Sequence, residues 1–174
     1  MPQIMTEMNK SRAFLGFGGN LGDPLSRFCR GRDKLDEHPQ VSVVSSSPLY
    51  QTPPVGGPEG QPDFLNAVVE IHTGLLPLEL LQLCGKIEDR AGRVRDLHWG
   101  PRTLDIDLLL IDELILETPV LTLPHPRMHQ RHFVLLPLND MAPQVKHPIL
   151  HETVNNLLNA LPEVEGITRI NDTW

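Results

Sequence analysis

Apolar positions along the chain change rhythm several times, and each change marks an element. The segments "VSVVSSSPLY" (41–50) and "DFLNAVVEIHT" (63–73) are rich in β-branched residues and read as strands. "AFLGFGGN" reads as a short strand ending in a glycine turn, and "TLDIDLLLIDE" as another strand. Helical spacing takes over in "DPLSRFCRGRDKLDEH", where Leu25, Phe28 and Leu35 share a face, Asp23 suits the N-cap and Pro24 the first turn. It returns in "LPLELLQLCGKIEDRAG", with Leu78, Leu81 and Ile87 on one side and a predicted end at Gly92.

Between these lies "QTPPVGGPEGQP", whose four prolines and three glycines make it an exposed loop. "LILETPVLTLPHP" predicts a hairpin or short edge strands, and "RMHQRHFVLLPL" a helix that stops near Pro137. "ETVNNLLNAL" predicts a short helix capped around Glu152–Thr153. The order β-α-β-β-α-β is that of an α+β, ferredoxin-like split βαβ sandwich, with helices packed on one face of the sheet and additions toward the C-terminal end. We expect a single domain over 1–174, with residues 1–12 a flexible leader to the first strand.

Composition narrows the class. At 174 residues the chain can bury a core without staples, and 40% apolar with 21% charged residues is ordinary for a soluble protein. No apolar run reaches membrane-spanning length, and no secretory signal is visible at the start, so a cytoplasmic location is expected. Cys29 and Cys84 match no zinc or redox spacing and read as reduced packing residues. A net charge of −7 argues against nucleic-acid and acidic-membrane partners. From Lys86 to Arg102, however, five basic residues face three acidic ones, a local surplus suited to a small anion.

The chemistry concentrates in "GRVRDLHWGPRTLDIDLLL" (92–110). On a strand Asp105 and Asp107 point the same way, roughly 6.6 Å apart at Cα, while Ile106 and Leu108 enter the core. Leu110 is expected on the core face as well. Two carboxylates so placed repel unless a cation lies between them, and their hard oxygens suit Mg²⁺ or Mn²⁺. Guanidinium forks fit phosphate, so Arg93, Arg95 and Arg102 upstream point to a magnesium–polyphosphate. The non-periodic loop that carries Arg93, Trp99 and Arg102 reads as a lid whose arginines reach the phosphates on closure. His125, His129 and His132 invite a zinc reading, but Pro126 breaks the helical spacing and no open tetrahedral set is evident. His125 is better read as a phosphate donor, with Arg131 nearby.

Two rivals follow from the residues alone. One is a non-catalytic ferredoxin-like binding module, in which the aspartate pair is incidental. The other is a different magnesium-dependent phosphotransferase, which would release pyrophosphate. Walker A and kinase glycine loops are missing from the sequence, which disfavours those NTPases.

Five motifs in order resemble a known family: Gly18–Gly19–Asn20, "YQTPPVG", "QPDFLNAV", "GRVR…WGPRTLDIDLLL" and "LTLPHPRMHQRHFVLLPL". Together they resemble 6-hydroxymethyl-7,8-dihydropterin pyrophosphokinase of folate biosynthesis, from about Phe14 to Leu138. The resemblance implies a monomer that moves the β,γ-diphosphate of ATP to the pterin hydroxymethyl group and releases AMP, with two Mg²⁺ ions. It implies Asp105 and Asp107 as metal ligands, and Arg93 and Arg102 as catalytic loop arginines that, with Trp99, also meet ATP. Phe64 and Phe133 match the aromatic pair around the pterin, Asn66 the amide at its edge, and Thr52, Pro53 and Val55 the backbone that reads the rest. Glu88, Thr122, His125 and Arg131 match further ATP contacts. The chain departs from the family pattern at Gly19, where serine is common, at Phe64, where tyrosine is common, and at Asp96 and His98, where basic residues are common.

Overall fold

The computed structural model describes residues 10–54, 57, 59–92 and 103–174. Strand β1 (Ser11–Gly19) starts inside the stretch expected to be a leader and runs through the glycines expected to turn. It alternates Ala13, Leu15 and Phe17 on one face with Phe14, Gly16 and Gly18 on the other. The segment read as one strand over 41–50 is two, β2 (Val41–Ser46) and β3 (Leu49–Thr52). The break falls at Ser47–Pro48, where proline has no N–H to give the ladder. Ser47 bridges the gap: its N–H donates to the Val68 carbonyl at 2.8 Å, and its hydroxyl accepts the Val68 N–H at 2.8 Å.

Both halves pair antiparallel with β4 (Phe64–Thr73), which also pairs with β1; β1 in turn pairs with β5 (Asp105–Ile111). With β8 (Thr168–Asn171) on the far edge, the strand order is β5-β1-β4-β3-β8, β2 sharing the β4 neighbour. Counting β2 and β3 as one interrupted strand, this is the ferredoxin-like arrangement, extended by β8, which the sequence pattern did not announce.

Helices α1 (Pro24–Asp36) and α2 (Pro77–Arg90) cover one face. Asp23 caps α1 by accepting the Ser26 N–H at 3.1 Å, with Pro24 at the first helical position, as its spacing predicts. Phe28, Leu35, Leu80, Cys84 and Ile87 meet Leu15, Phe17, Val69 and Ile106 in the larger core. The expectation that helices occupy one face only is corrected by α3 (His132–Met141) and α4 (Val154–Ala160). Their Val134, Leu135, Leu138, Val154 and Leu157 bury Phe14, Val68, Leu109 and Leu110 on the opposite face. A second correction is that α3 passes through Pro137 instead of ending there. The proline sacrifices one helical hydrogen bond, but Leu135 and Leu138 beside it are fully buried, and packing outweighs that loss. Strands β6 (Leu116–Glu117) and β7 (Thr122–Leu123) form the expected short hairpin.

Strand β5 serves both cores because its register slips. Phe14 pairs with Leu110 and Leu15 with Leu108, leaving Leu109 as an extra residue. Before the bulge Ile106 and Leu108 face α1 and α2; after it Leu109 and Leu110 both enter the core under α3, a correction to the face expected for Leu110. No described helix is long and apolar enough to cross a membrane.

Candidate active site

On the α3 side the sheet does not fill completely, and a cleft of about 530 Å³ opens there. Its floor is set by register. Gly18 of β1 lies between Asn66 of β4 and Asp105 of β5, and Gly16 lies between Val68 and Asp107. Asp105 and Asp107 therefore share a face, half-buried and exposed respectively, and both line the cleft. Glycine between them and the amide keeps the floor low. A Cβ on Gly18 would stand 3.5 Å from Asn66 Oδ1, and one on Gly16 3.5 Å from Leu109. Each would be an ordinary contact, but each would raise the floor by a methyl.

At the other end, Asn66 is buried and donates through Nδ2 to Thr52 Oγ1 at 2.8 Å, which fixes the plane of its amide. Phe64, two residues before it on the same face, lines the cleft beside Thr52 and Pro53. Phe133 lines it from α3, with the Arg131 guanidinium 5.4 Å from its ring centroid. One aromatic ring thus comes from the sheet and one from the helix, while a buried amide sits on the floor, an arrangement suited to a flat heteroaromatic ring.

Positive charge enters from the segment ahead of α3. Arg127 and Arg131 line the cleft. Burial lowers the affinity of Arg131 for its proton, and Arg127 pushes the same way, while the Asp107 carboxylate opposes both. His125 is pushed down to about 4 by burial and by Arg131 and Arg127. Its Nδ1 accepts the Arg127 N–H at 3.1 Å, so the neutral ring carries its proton on Nε2 and can donate there.

Other expected residues fall elsewhere. Thr122 and His125 lie near the cleft's sequence neighbours but outside its lining. Glu88 is also outside it: the carboxylate is buried and accepts the Ile106 N–H at 2.9 Å. The reason is topological, since β5 is the sheet edge and its outward N–H groups need partners from beyond the sheet. The three histidines weighed for zinc face different groups, His129 packing on His147 with centroids 5.7 Å apart and His132 meeting the Pro162 carbonyl at 2.7 Å. Val55, Arg93, Trp99 and Arg102 lie outside the described residues.

A sequence model described as 7,8-dihydro-6-hydroxymethylpterin-pyrophosphokinase matches residues 14–143, three quarters of the chain. The chain belongs to this family. A Pseudomonas aeruginosa 2-amino-4-hydroxy-6-hydroxymethyldihydropteridine pyrophosphokinase is 43% identical over 159 residues, covering 91% of this chain and 96% of the relative. The Bacillus subtilis protein of the same name is 45% identical over 134 residues, covering 77% and 80%. Among solved structures, Plasmodium falciparum HPPK-DHPS superposes with a TM-score of 0.64 at 19% identity, over 86% of this chain. That likeness speaks to the fold alone, and this chain spans 43% of that one.

Within this pyrophosphokinase family fold, the structure brings Asp105, Asp107, Thr52, Pro53, Phe64, Asn66, Arg131 and Phe133 around one cleft. It adds residues that the sequence reading missed. Gly16 and Gly18 carry a legible signal, glycines at period two on a strand, which marks close approach. Arg127 and Gln130 had only their proximity to Arg131. Val164, Glu165 and Ile167 arrive from a segment about 100 residues away from Phe64 in sequence, with no local pattern to flag them.

Proposed function

We propose that this chain catalyses diphosphate transfer from ATP to the hydroxymethyl group of 6-hydroxymethyl-7,8-dihydropterin, releasing AMP, as a step of folate synthesis. The observation that carries the proposal is the shared floor: two carboxylates at one end and a buried amide flanked by Phe64 at the other, separated only by Gly16 and Gly18. Family membership supports the same reading.

The donor set fits magnesium. Among the described residues no group of three or more His, Cys, Asp or Glu side chains could enclose a metal alone. A pair of aspartates suits Mg²⁺ because that ion takes one or two carboxylates and completes its shell with water and phosphate oxygens. Asp105 and Asp107 would hold two ions, which when bound neutralise phosphate charge and make the substrate hydroxyl more acidic.

The chain's own residues do the rest. Asn66 and the Thr52–Pro53 backbone read the edge of the pterin, with Val55 continuing that contact, while Phe64 and Phe133 cover its faces. Such stacking adds about 0.5–1.5 kcal/mol beyond area burial. The hydroxyl oxygen then attacks the β-phosphorus in line as the bond to the α-phosphate oxygen breaks, and that oxygen leaves with AMP. Arg131 and the Nε2–H of His125 steady the nucleotide, with Thr122 and Glu88 assigned supporting contacts. Arg93 and Arg102 offset charge growing on the phosphate oxygens, and Trp99 covers the nucleotide. The proposal extends to a monomer in the cytoplasm, where the free thiols of Cys29 and Cys84 would stay reduced.

The deciding experiment is product analysis. Incubation with ATP, Mg²⁺ and hydroxymethyldihydropterin should yield AMP and pterin diphosphate in equal amounts. Pyrophosphate or ADP in place of AMP would overturn the reading.

A further inference from the structure

We propose that residues 162–174 form a strap that walls the pterin end of the cleft, with Ile167 and Val164 touching substrate and Trp174 as its positioning residue. The inference rests on the function proposed above and goes beyond it, since no pyrophosphate chemistry requires this segment.

The strap is held at both ends and crosses the cleft between them. At its start the Pro162 carbonyl meets His132 Nε2 at 2.7 Å, at the first turn of α3 and next to Phe133. Val164, Glu165 and Ile167 then line the cleft. Gly166 between them has φ +87°, a left-handed conformation that disfavours any side chain, and a Cβ there would stand 3.3 Å from Pro53 Cγ. The strap thus lies against the same Pro53 that is assigned to the pterin, not against the aspartate end.

Beyond Ile167 the strap becomes β8, paired with β3 through Gln51↔Thr168 and Tyr50↔Arg169. Asp140 of α3 joins the strap to both neighbours, accepting from the Tyr50 hydroxyl and lying 3.6 Å from the Arg169 guanidinium. The far end is fixed by Trp174. Its ring packs on Phe28 and Phe17 with centroids 5.7 and 6.1 Å apart, and Arg32 stacks over it at 4.3 Å. Its indole N–H donates to the Ser47 carbonyl at 2.7 Å, and Arg32 also donates to its backbone oxygen.

Val164 keeps half its surface exposed although it lines the cleft. That surface is covered once a flat ring lies between Phe64 and Phe133. Phenyl rings cover the faces of such a ligand and leave its edge open; the strap closes that side and holds the ring in register with Asn66. Trp174, remote from the substrate, sets where the strap lies.

The test is steady-state kinetics and pterin binding by the full chain carrying Ile167→Ala, Gly166→Val, Trp174→Ala and Trp174→Phe. Gly166→Val and Trp174→Ala should raise the pterin KM by about tenfold and Ile167→Ala by about fivefold, with the ATP KM within about twofold of the parent. Trp174→Phe, which keeps the ring packing, should recover most of the affinity. Ile167→Ala removes only a partly exposed side chain, so it reports even if Trp174→Ala does not fold. Unchanged pterin KM in Ile167→Ala and Gly166→Val, or ATP and pterin KM rising together, overturns the strap role. A parent enzyme that makes no AMP sinks the proposed function instead, so the two failures are distinct.

Discussion

The Ile106 N–H donates to Glu88 Oε1 at 2.9 Å, tying the residue between the two aspartates to helix α2. The contact holds the edge strand from outside the sheet, and it does so at the position where the strand carries its chemistry. Glu88 is thereby a spacer between the larger core and the aspartate pair.

Glu88→Leu leaves a buried N–H without an acceptor and should destabilise the protein by about 1–3 kcal/mol in urea denaturation. Glu88→Gln keeps an amide oxygen for Ile106 and should lose less. Equal losses in the two variants would show that the carboxylate charge, and not its acceptor role, matters at this site.

Replacing Asp105 or Asp107 by alanine should reduce diphosphate transfer by about a thousandfold, the effect of several kcal/mol of lost charge stabilisation. Undiminished AMP release by either variant would remove the basis of the metal assignment.

Arg102→Ala should lower kcat by about a hundredfold or more while pterin affinity, measured by isothermal titration, stays near that of the parent. The opposite split, with pterin binding lost and kcat intact, contradicts a role in offsetting transition-state charge.

The His125 ring should titrate near 4 instead of 6.5, followed by NMR of its ring protons. The sign follows from linkage. Between these values the unfolded chain binds a proton that the folded chain refuses, so stability is full above 6.5 and declines as pH falls toward 4. A variant with asparagine at this position should show a shallower acid decline, and an identical pH profile would argue against the assignment.

Gly18→Val should fold, since β-branched residues suit strands, yet its methyls occupy the floor between Asn66 and Asp105. We expect kcat/KM for the pterin to drop by about tenfold or more, with Gly18→Ala intermediate, its Cβ making only an ordinary contact. Wild-type kinetics in Gly18→Val would mean that the substrate does not use this floor.

Much of this was legible beforehand because it depends on local periodicity. Asp105 and Asp107 share a face for the same reason that Ile106 and Leu108 share the other, and Asp23 with Pro24 marks a helix start without help from tertiary structure. The aspartates could therefore be named from spacing alone, whereas the amide and the aromatic pair were named by the family motifs. What escaped depends on distant partners. Pro137 reads as a stop until the burial of Leu135 and Leu138 is known. The split of β2 from β3 depends on Ser47 meeting Val68 across the sheet. Leu110 changes face because of an extra residue that only the pairing with Phe14 reveals. Val164 and Ile167 lie on a segment held by distant partners, Pro162 by His132, β8 by β3, and Trp174 by Phe17, Phe28 and Ser47, the last three more than 120 residues earlier.

The extra residue at Leu109 divides β5 into two stretches whose phases are independent. A length change beyond it exchanges Leu110 and Ile111, both apolar and buried, whereas one residue added or lost between Asp105 and Leu108 would rotate a carboxylate into hydrocarbon, at a cost of several kcal/mol. Tolerance to insertion should therefore end abruptly at Leu109, with the reactive half of the strand intolerant of a single-residue change and the structural half forgiving.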